Sequence, residues 1–280
     1  MFEHGDVLDI NRSDGQAVSG AVTLYSVIKS DDASALCALW KNAHVKDPNV
    51  FVMAMMNNSC KCLEYLMEVY DANGAPFPRI QEAVCVAILV NGFDCLFRLY
   101  INGFVFKEWM LNVAVAHRRH MLVDLFLRSG LRLKDWSTVV KTMIRNNDIL
   151  GLTMLKEFQV PLTDIRYTDE ALRHGFLDIF VYLHKVGCPW DRVVAAKAAC
   201  VLNNVYLLHC ALGPFCVMDS KDAFALAELC IQKDHDVCLQ LLLPSIMESR
   251  FSADLAEQCR RHQGHKCLTV LKRNQWNDRE

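Results

Sequence analysis

A recurring spacing of about 29 residues between equivalent apolar pairs constrains this chain more than any other feature. Each pair is an apolar residue followed three positions later by another. The first members of the pairs, here called anchors, are Leu36, Leu63, Leu96, Val123, Leu152, Phe180, Leu208, Leu239 and Leu268. Successive anchors lie 27, 33, 27, 29, 28, 28, 31 and 29 residues apart. A period sustained over nine copies is typical of repeat proteins, so we predict nine similar units.

Two further positions repeat with the anchors and define the shape of one unit. Nine residues before the anchors lie mostly small side chains, which let neighbouring helices approach closely: Val27, Ala54, Ala87, Ala114, Met143, Ala171, Ala199, Cys230 and Cys259. Five residues before the anchors, seven of nine are Asn, Asp or Gly, which tolerate left-handed backbone: Asp31, Asn58, Asn91, Arg118, Asn147, Gly175, Asn203, Asp234 and Gln263. Each unit is therefore predicted to be a helix, a tight turn and a second helix.

The ends of the units also repeat. Glycines are predicted to close second helices, and each begins a Gly-x-x-apolar step: Gly74 with Phe77, Gly103 with Phe106, Gly130 with Leu133, and Gly187 with Trp190. Acidic residues fall where the next first helix needs an N-cap: Glu108, Asp135, Asp164 and Asp191. A lone helix pair cannot bury its apolar face, but stacked pairs share one core. The predicted fold is an all-α solenoid of about nine stacked helix-turn-helix repeats.

The repeats are predicted to form one domain over residues 21–271, with no linker that would divide it. Residues 1–20 lie outside the pattern and are expected to be flexible or to cap the stack. Residues 272–280 are expected to form a polar tail, since chain ends without packed partners are usually poorly ordered.

The units resemble ankyrin repeats. Gly175 to Gly187 matches the ankyrin run of a turn glycine, an apolar helix and a closing glycine twelve residues later, and Asn91 to Gly103 and Arg118 to Gly130 share that spacing. The ending LHKVGCPWD is similar to the divergent ankyrin repeats of giant viruses and some protists. The resemblance covers about residues 21–271 and implies a non-catalytic scaffold, an adaptor or effector, that binds protein partners.

The chain departs from the ankyrin pattern in two ways. No unit has the Thr-Pro-Leu-His opening, and the period is shorter than the usual ankyrin repeat of about 33 residues. The hairpin fingers of that family are therefore expected to be shortened to tight loops. Armadillo or tetratricopeptide repeats are the structural alternative. A ubiquitin-ligase substrate receptor is a less favoured subtype, because the repeats run to Leu271 and leave no room for a C-terminal box.

The resemblance implies that first helices line a concave, partner-binding face, to which positions ten, seven and six before the anchor should point. The predicted partner-binding residues are Met53, Met56, Val86, Leu89, Val90, His117, Arg145, Arg173 and His174. Methionine and arginine are favoured at interfaces. We expect the apolar members to bind an apolar anchor of the partner, and Arg145 and Arg173 to pair with its acidic residues. The alternative is that residues 1–20 or tighter helix packing bury the apolar members.

Composition narrows the classes of partner and compartment. The chain has 280 residues, 30 Lys and Arg against 32 Asp and Glu, and a net charge of -2. This balance argues against a general binder of nucleic acids or anionic membranes. No signal peptide or membrane span is predicted from the pattern. Thirteen cysteines in a chain of this size indicate reduced thiols, so an intracellular protein, cytoplasmic or nuclear, is expected. The protein is also expected to be a monomer.

Few residues suggest chemistry. Cys259, His262, His265 and Cys267 are of the types that bind zinc, and a zinc- or redox-responsive protein is the functional alternative. The repeat explains both cysteines as small core residues, so neither a metal site nor a cofactor is predicted. Cys188 is expected to be exposed on a loop, where it would be a weak candidate for a reactive thiol. No nucleotide-binding glycine motif or catalytic motif is present, so no catalytic residue is predicted.

Overall fold

The computed structural model describes residues 24–42, 47–73, 76–213, 220–246 and 252–274. Within these ranges every regular element is a helix and no strand occurs, so the predicted all-α class is confirmed. The chain divides into two compact units, unit 1 (Met1–Val139) and unit 2 (Val140–Glu280). Their boundary falls within a helix, Ser137–Arg145. Residues 1–20 and most of the predicted polar tail lie outside the described residues.

Unit 1 is built from helix pairs that pack in chain order. Its described helices are α1 (residues 24–29), α2 (Ala33–Asn42), α3 (Val50–Met56), α4 (Cys60–Ala72), α5 (Ile80–Val90), α6 (Phe93–Ile101), α7 (Glu108–Ala116) and α8 (His120–Arg128). The first helices pack side by side, α3 against α5 and α5 against α7. The second helices form another layer, in which α2 packs against α4, α4 against α6 and α6 against α8.

Unit 2 repeats this arrangement. Its helices, the first of which begins before the boundary, are α9 (Ser137–Arg145), α10 (Ile149–Glu157), α11 (Ile165–Arg173), α12 (Leu177–Lys185), α13 (Arg192–Leu202), α14 (Val205–Leu212), α15 (Ser220–Gln232), α16 (Asp236–Ile246), α17 (Ser252–Arg261) and α18 (His265–Arg273). First helices pack as α11 against α13, α13 against α15 and α15 against α17. Second helices pack as α10 against α12, α14 against α16 and α16 against α18.

The turn inside each pair has the predicted left-handed backbone. All nine residues five positions before the anchors have positive φ: Asp31, Asn58, Asn91, Arg118, Asn147, Gly175, Asn203, Asp234 and Gln263. At Asn91, the turn N–H donates to the Ile88 carbonyl at 3.2 Å, and the next N–H, of Gly92, donates to the Ala87 carbonyl at 2.7 Å. This pair of bonds is a Schellman cap, which satisfies carbonyls left open at a helix end.

The small residues nine positions before the anchors lie in the core. Ala54, Ala87, Ala114, Ala171 and Ala199 are fully buried in the described structure. Their carbonyls are also the acceptors of the Schellman caps, as at Ala87. A larger side chain there would push apart the first helices that pack on either side. One repeat position therefore sets both the end of a first helix and the approach of its neighbours.

Side chains of one pair also cap the second helix of the next pair. The turn side chain accepts a first-turn N–H at 3.0–3.1 Å in three pairs: Asp31 from Cys62, Asn58 from Cys95, and Asp234 from Cys267. The cysteine before the anchor then directs its thiol to the carbonyl of the preceding small residue at 3.7–4.0 Å: Cys62 to Val27, Cys95 to Ala54, Cys238 to Ala199, and Cys267 to Cys230. These cysteines are small core residues with a weak donor.

The ends of the second helices follow the prediction with one correction. Gly103, Gly130 and Gly187 have positive φ, and Gln159 and Gly213 do so in units that lack the predicted glycine, whereas Gly74 lies outside the described residues. Asp164 and Asp191 cap α11 and α13 by accepting N–H groups of their first turns. Glu108 was wrongly predicted as a cap: it is the first residue of α7, so Lys107 takes the N-cap position.

Candidate functional site

The first-helix face comprises the residues ten, seven and six positions before each anchor. In unit 1 it carries exposed apolar side chains on two adjacent helices. Met56 of α3 is 41% exposed, and Leu89 and Val90 of α5 are 38% and 46% exposed. Met53 and Val86, one turn earlier on the same helices, are half-buried. We call Met56, Leu89 and Val90 the apolar row.

The apolar row lies at the helix ends because the turns fix it there. Met56 is the last residue of α3 and Val90 is the last residue of α5, and the left-handed turn residues Asn58 and Asn91 follow closely. The core sides of the two helices are occupied by Ala54 and Ala87 and their buried neighbours. The row lies outside this buried core, and its side chains are partly exposed on the described surface.

Polar groups border the apolar row. Arg119, at the start of α8, donates a guanidinium N–H to the Leu89 carbonyl, which the helix end leaves accessible. His117, another predicted partner-binding residue, is the exposed C-cap of α7. An apolar centre with a polar rim is the usual make-up of a protein-binding surface.

In unit 2 the same face holds a charged cluster. Arg145 of α9 donates from Nε to Oε1 of Glu170 on α11 at 2.7 Å. Nη1 of Arg173 lies 3.8 Å from Oε2 of Glu170, and Nε2 of His174 lies 3.6 Å from Oε1. The hydrogen bond from Arg145 lowers the pKa of Glu170, and the charges of Arg145, His174 and Arg173 lower it further. We call these four residues the Glu170 cluster.

The Glu170 cluster changes what its two arginines can do. Arg145 was expected to be free for a partner, but its guanidinium already forms a short ion pair with Glu170. Arg173 is more weakly paired and its side chain is 72% exposed. Two guanidinium groups share the Glu170 carboxylate, and the neighbouring Asp169 also interacts with the charge of Arg173. A carboxylate or phosphate of a partner would therefore meet Arg173 first.

The sequence reasoning missed an apolar pair on the same face. Val201 and Leu202, at the end of α13, occupy the positions of Leu89 and Val90 in the repeat and are exposed. The repeat itself supplied the signal, because both lie seven and six residues before the anchor Leu208. A methyl of Leu202 lies close to Gly175 of the preceding turn, where an added Cβ would come within 3.2 Å of it.

A polar cavity lies on the last described first helices of unit 2. It has a volume of about 230 Å³ and is lined by side chains of α15 and α17: Phe224, Glu228, Asp254, Glu257, Gln258 and Arg261. Arg261 pairs with Glu257 at 2.5 Å, and Gln258 donates to Glu228 at 3.3 Å. Internal pairs thus satisfy several of its polar groups.

The cysteines and histidines considered for zinc do not come together. Cys259 and Cys267 are buried, whereas His262 and His265 are exposed. Burial raises the pKa of the Cys259 thiol to about 11, which disfavours the thiolate that zinc requires. Among the described residues, no group of three His, Cys, Asp or Glu side chains is placed to hold a metal ion.

The prediction that Cys188 is exposed is wrong. The side chain is buried, and its thiol donates to the Asp164 carbonyl at 3.3 Å. Burial raises the pKa of this thiol to about 11, so little thiolate forms near neutral pH. The turn at Gly187 directs Cys188 inwards. The sequence had predicted an exposed side chain because Cys188 lies in a loop.

Comparison with models of known protein families finds no match, and a search of curated proteins finds no similar sequence. In the described ranges, no helix combines the length and apolar character needed to cross a membrane.

Proposed function

We propose that this chain is a non-catalytic scaffold of ankyrin-like repeats, which binds a protein partner through its first-helix face. The exposure of Met56, Leu89 and Val90 carries the proposal. These side chains are apolar, partly exposed and at the same face positions of two neighbouring repeats. Exposed apolar groups that cluster in this way usually mark an interaction site. The short helix pairs and their left-handed turns support the ankyrin-like type.

The partner is proposed to present an apolar side chain to the apolar row. Burying one such side chain contributes about 1.5–3 kcal/mol of binding free energy. The Glu170 cluster is a separate contact region in unit 2, where Arg173 would pair with an acidic group of a partner. An intracellular location is proposed as well, since the twelve described cysteines are free thiols and form no disulfide among themselves.

Affinity capture of partners followed by quantitative mass spectrometry tests the proposal. The wild type is compared with a Leu89→Ser/Val90→Ser variant and with a matched control, Leu150→Ser/Val237→Ser. The control removes Leu150 and Val237, which are also exposed. Val237 has the same exposed fraction as Val90, 46%. We expect at least one protein to be retained by the wild type and the control but lost from the Leu89/Val90 variant.

The captured protein is then produced and its dissociation constant is measured with all three forms. A loss of about tenfold or more with the Leu89/Val90 variant alone, at unchanged thermal stability, supports the proposal. Equal binding by all three forms contradicts it, as does a Leu89/Val90 variant that has lost stability.

The functional alternative is a zinc- or redox-responsive protein that uses Cys259, His262, His265 and Cys267. The burial of both cysteines and the exposure of both histidines make it the weaker candidate. Elemental analysis of purified protein separates the two functions, because stoichiometric zinc that disappears in a Cys259→Ala variant would favour the alternative.

A further inference from the structure

The third repeat carries apolar residues at two positions where apolar character is not a general feature of the repeats. Five residues after the anchor, six of the other eight units carry a charged residue: Lys41, Glu68, Arg128, Glu157, Lys185 and Arg273. The third unit has Ile101 there. Nine residues after the anchor, that unit has Val105, and the residue type varies among the other units: Val45, Ala72, Arg132, Pro161, Pro189, Val217, Glu248 and Asn277. The fold therefore does not require an apolar side chain at either position.

Both residues are open to solvent in the described structure. Ile101 ends α6 and is 52% exposed, and Val105, in the following loop, is 77% exposed. Phe97 lies one turn before Ile101 on the same side of α6 and is also exposed. We call Phe97, Ile101 and Val105 the α6 patch. It belongs to a second helix and its loop, so it is distinct from the first-helix face.

A cavity adjoins the α6 patch. It has a volume of about 310 Å³ and lies between the loops that follow α6 and α8, and its lining includes Tyr100, Val105, Phe106 and Arg132. Aromatic rings pack beneath it. The ring of Phe106 stacks on that of Tyr100 with centroids 5.9 Å apart, and its centroid lies 4.6 Å from that of the buried Phe126. The cavity thus has a rigid aromatic base and is large enough for a side chain of a partner.

The rim of the cavity carries a cation without an acidic partner. Nη1 of Arg132 donates to the carbonyls of Leu127 and Leu131 at 3.4 and 3.3 Å, which holds the guanidinium at the end of α8. No carboxylate of the described residues lies within ion-pair distance of Arg132. Many other arginines of the described structure are paired, as Arg98 is with Glu64. The remaining N–H groups of Arg132 can therefore bind a carboxylate at the edge of an apolar surface.

Other charges on the two loops are mixed. Lys107 follows Phe106 and Lys134 follows Leu133, and both are exposed. The acidic residues nearby in sequence are Glu108, at the start of α7, and Asp135, which accepts the Ser137 N–H before α9. Arg132 is the charged residue that lines the cavity itself.

We propose that the α6 patch and its cavity form a second docking site, which binds a linear segment of a protein partner with an apolar side chain beside an acidic residue. The apolar side chain enters the cavity above Phe106 and contacts Val105. The acidic residue pairs with Arg132. This site goes beyond the proposed function, because it uses other residues and stands whether or not the first-helix face binds.

Selection from a phage-displayed library of random dodecapeptides on the immobilised full chain tests this proposal. Selected peptides are synthesised with a fluorophore, and their affinities are measured by anisotropy. We expect peptides that combine a large apolar residue with a neighbouring Asp or Glu. Val105→Ser should weaken their binding about tenfold, since the burial of one valine is worth roughly that factor. Val193→Ser removes another exposed valine and should leave binding unchanged.

Charge exchange tests the pairing with Arg132. Arg132→Glu should weaken binding of the acidic peptides and should instead favour versions in which Lys replaces the Asp or Glu. Arg132→Lys should retain more affinity for the acidic peptides than Arg132→Gln. Thermal unfolding of each variant shows whether the protein remains folded. The comparison of Arg132→Lys with Arg132→Gln is valid even if both variants lose the hydrogen bonds to the Leu127 and Leu131 carbonyls.

Several results would overturn the proposal. One is a selection in which no peptide depends on Val105 for binding. Another is that the selected peptides bind equally well when their acidic residue is made neutral, and bind the Arg132→Glu variant as well as the wild type. Sedimentation equilibrium of the chain alone tests a further occupant, since self-association abolished by Val105→Ser would make a second copy the ligand. Peptides lost only in the Leu89→Ser/Val90→Ser variant belong to the first-helix face, so failure of one site is distinguishable from failure of the other.

Discussion

The same repeat positions carry apolar side chains on α3 and α5 of unit 1 and charged side chains on α9 and α11 of unit 2. Seven residues before the anchor, Met56 and Leu89 correspond to Arg145 and Arg173. The positions beneath them do not differ in this way, because Ala87 and Ala171 are both fully buried. The turns of both units are also left-handed at equivalent residues.

This comparison separates two sets of repeat positions. The small residue, the turn residue and the anchor pair are constrained by packing and backbone geometry in every unit. The exposed face positions, such as Met56, Leu89 and Arg173, are less constrained, so their chemistry can vary from one unit to the next. If the comparison is sound, substitutions in the first set should have equal effects in the two units, and substitutions of the exposed apolar residues on the face should affect binding alone.

The largest effects are expected from the anchors. Leu96→Ala in unit 1 and Leu152→Ala in unit 2 remove fully buried side chains, and each should lower the free energy of unfolding by about 2–5 kcal/mol. Leu150→Ala, an exposed leucine, is the control and should change it by about 0.5 kcal/mol or less. Chemical denaturation measures all three. A unit that tolerates the loss of its anchor would break the equivalence of the two stacks.

Enlarging the small residue should have the next largest effect. Ala87→Leu and Ala199→Leu place a bulky side chain between packed first helices, at a cost of about 1–3 kcal/mol each. Ala116→Leu, at an exposed position of α7, is the matched control and should be nearly neutral. Urea denaturation gives the three values. A neutral Ala87→Leu would mean that α3 and α7 do not approach α5 as closely as described.

Relief of the turns is expected to stabilise both units. Arg118 and Gln263 hold a left-handed backbone with φ of 54° and 55°, which costs an ordinary side chain about 1–2 kcal/mol. Glycine adopts this conformation freely but loses more entropy on folding. Arg118→Gly and Gln263→Gly should therefore each raise the free energy of unfolding by about 0.5–1 kcal/mol. Asn58→Gly should gain nothing, because it also removes the acceptor of the Cys95 N–H.

The smallest effect concerns the Glu170 cluster and depends on pH. The folded-state pKa of Glu170 lies below its ordinary value of 4.5, so its contribution to stability is present above that pH and is lost as pH falls through the lowered pKa. The stability difference between wild type and Glu170→Gln should therefore shrink on acidification below pH 4.5. Thermal melts across acidic pH measure it. A difference that stays constant would show that the ion pairs with Arg145 and Arg173 contribute nothing to stability.

The sequence was sufficient to predict the repeat because its signals are local. The turn residues were identified from residue type and spacing, and all nine have the expected backbone. The burial of Ala87 and its equivalents followed from the same register. The N-caps could not be predicted from residue type alone. Glu108 was predicted to cap α7 because it is acidic, but α7 begins at Glu108 and its N-cap is Lys107.

Features that depend on contacts between neighbouring repeats were not predictable from the sequence. The pairing of Arg145 with Glu170 joins side chains on neighbouring helices, and its geometry is not contained in the spacing of either. Cys188 follows a turn that directs it beneath the loop, so its position before Pro189 gave no sign of burial. The α6 patch was not predicted because the spacing of Phe97, Ile101 and Val105 does not show which side chains remain exposed.

The free energy of unfolding of a Met56→Ala/Leu89→Ala variant tests most directly the claim that different residues carry the fold and the binding face. Both side chains are exposed, so a total change of about 1 kcal/mol or less is expected. A matched Leu66→Ala/Leu99→Ala variant removes buried residues from the next helices and should lose about 2–5 kcal/mol at each site. If the Met56/Leu89 variant lost as much as the matched variant, these side chains would be part of the core, and the apolar row could not be a surface for partners.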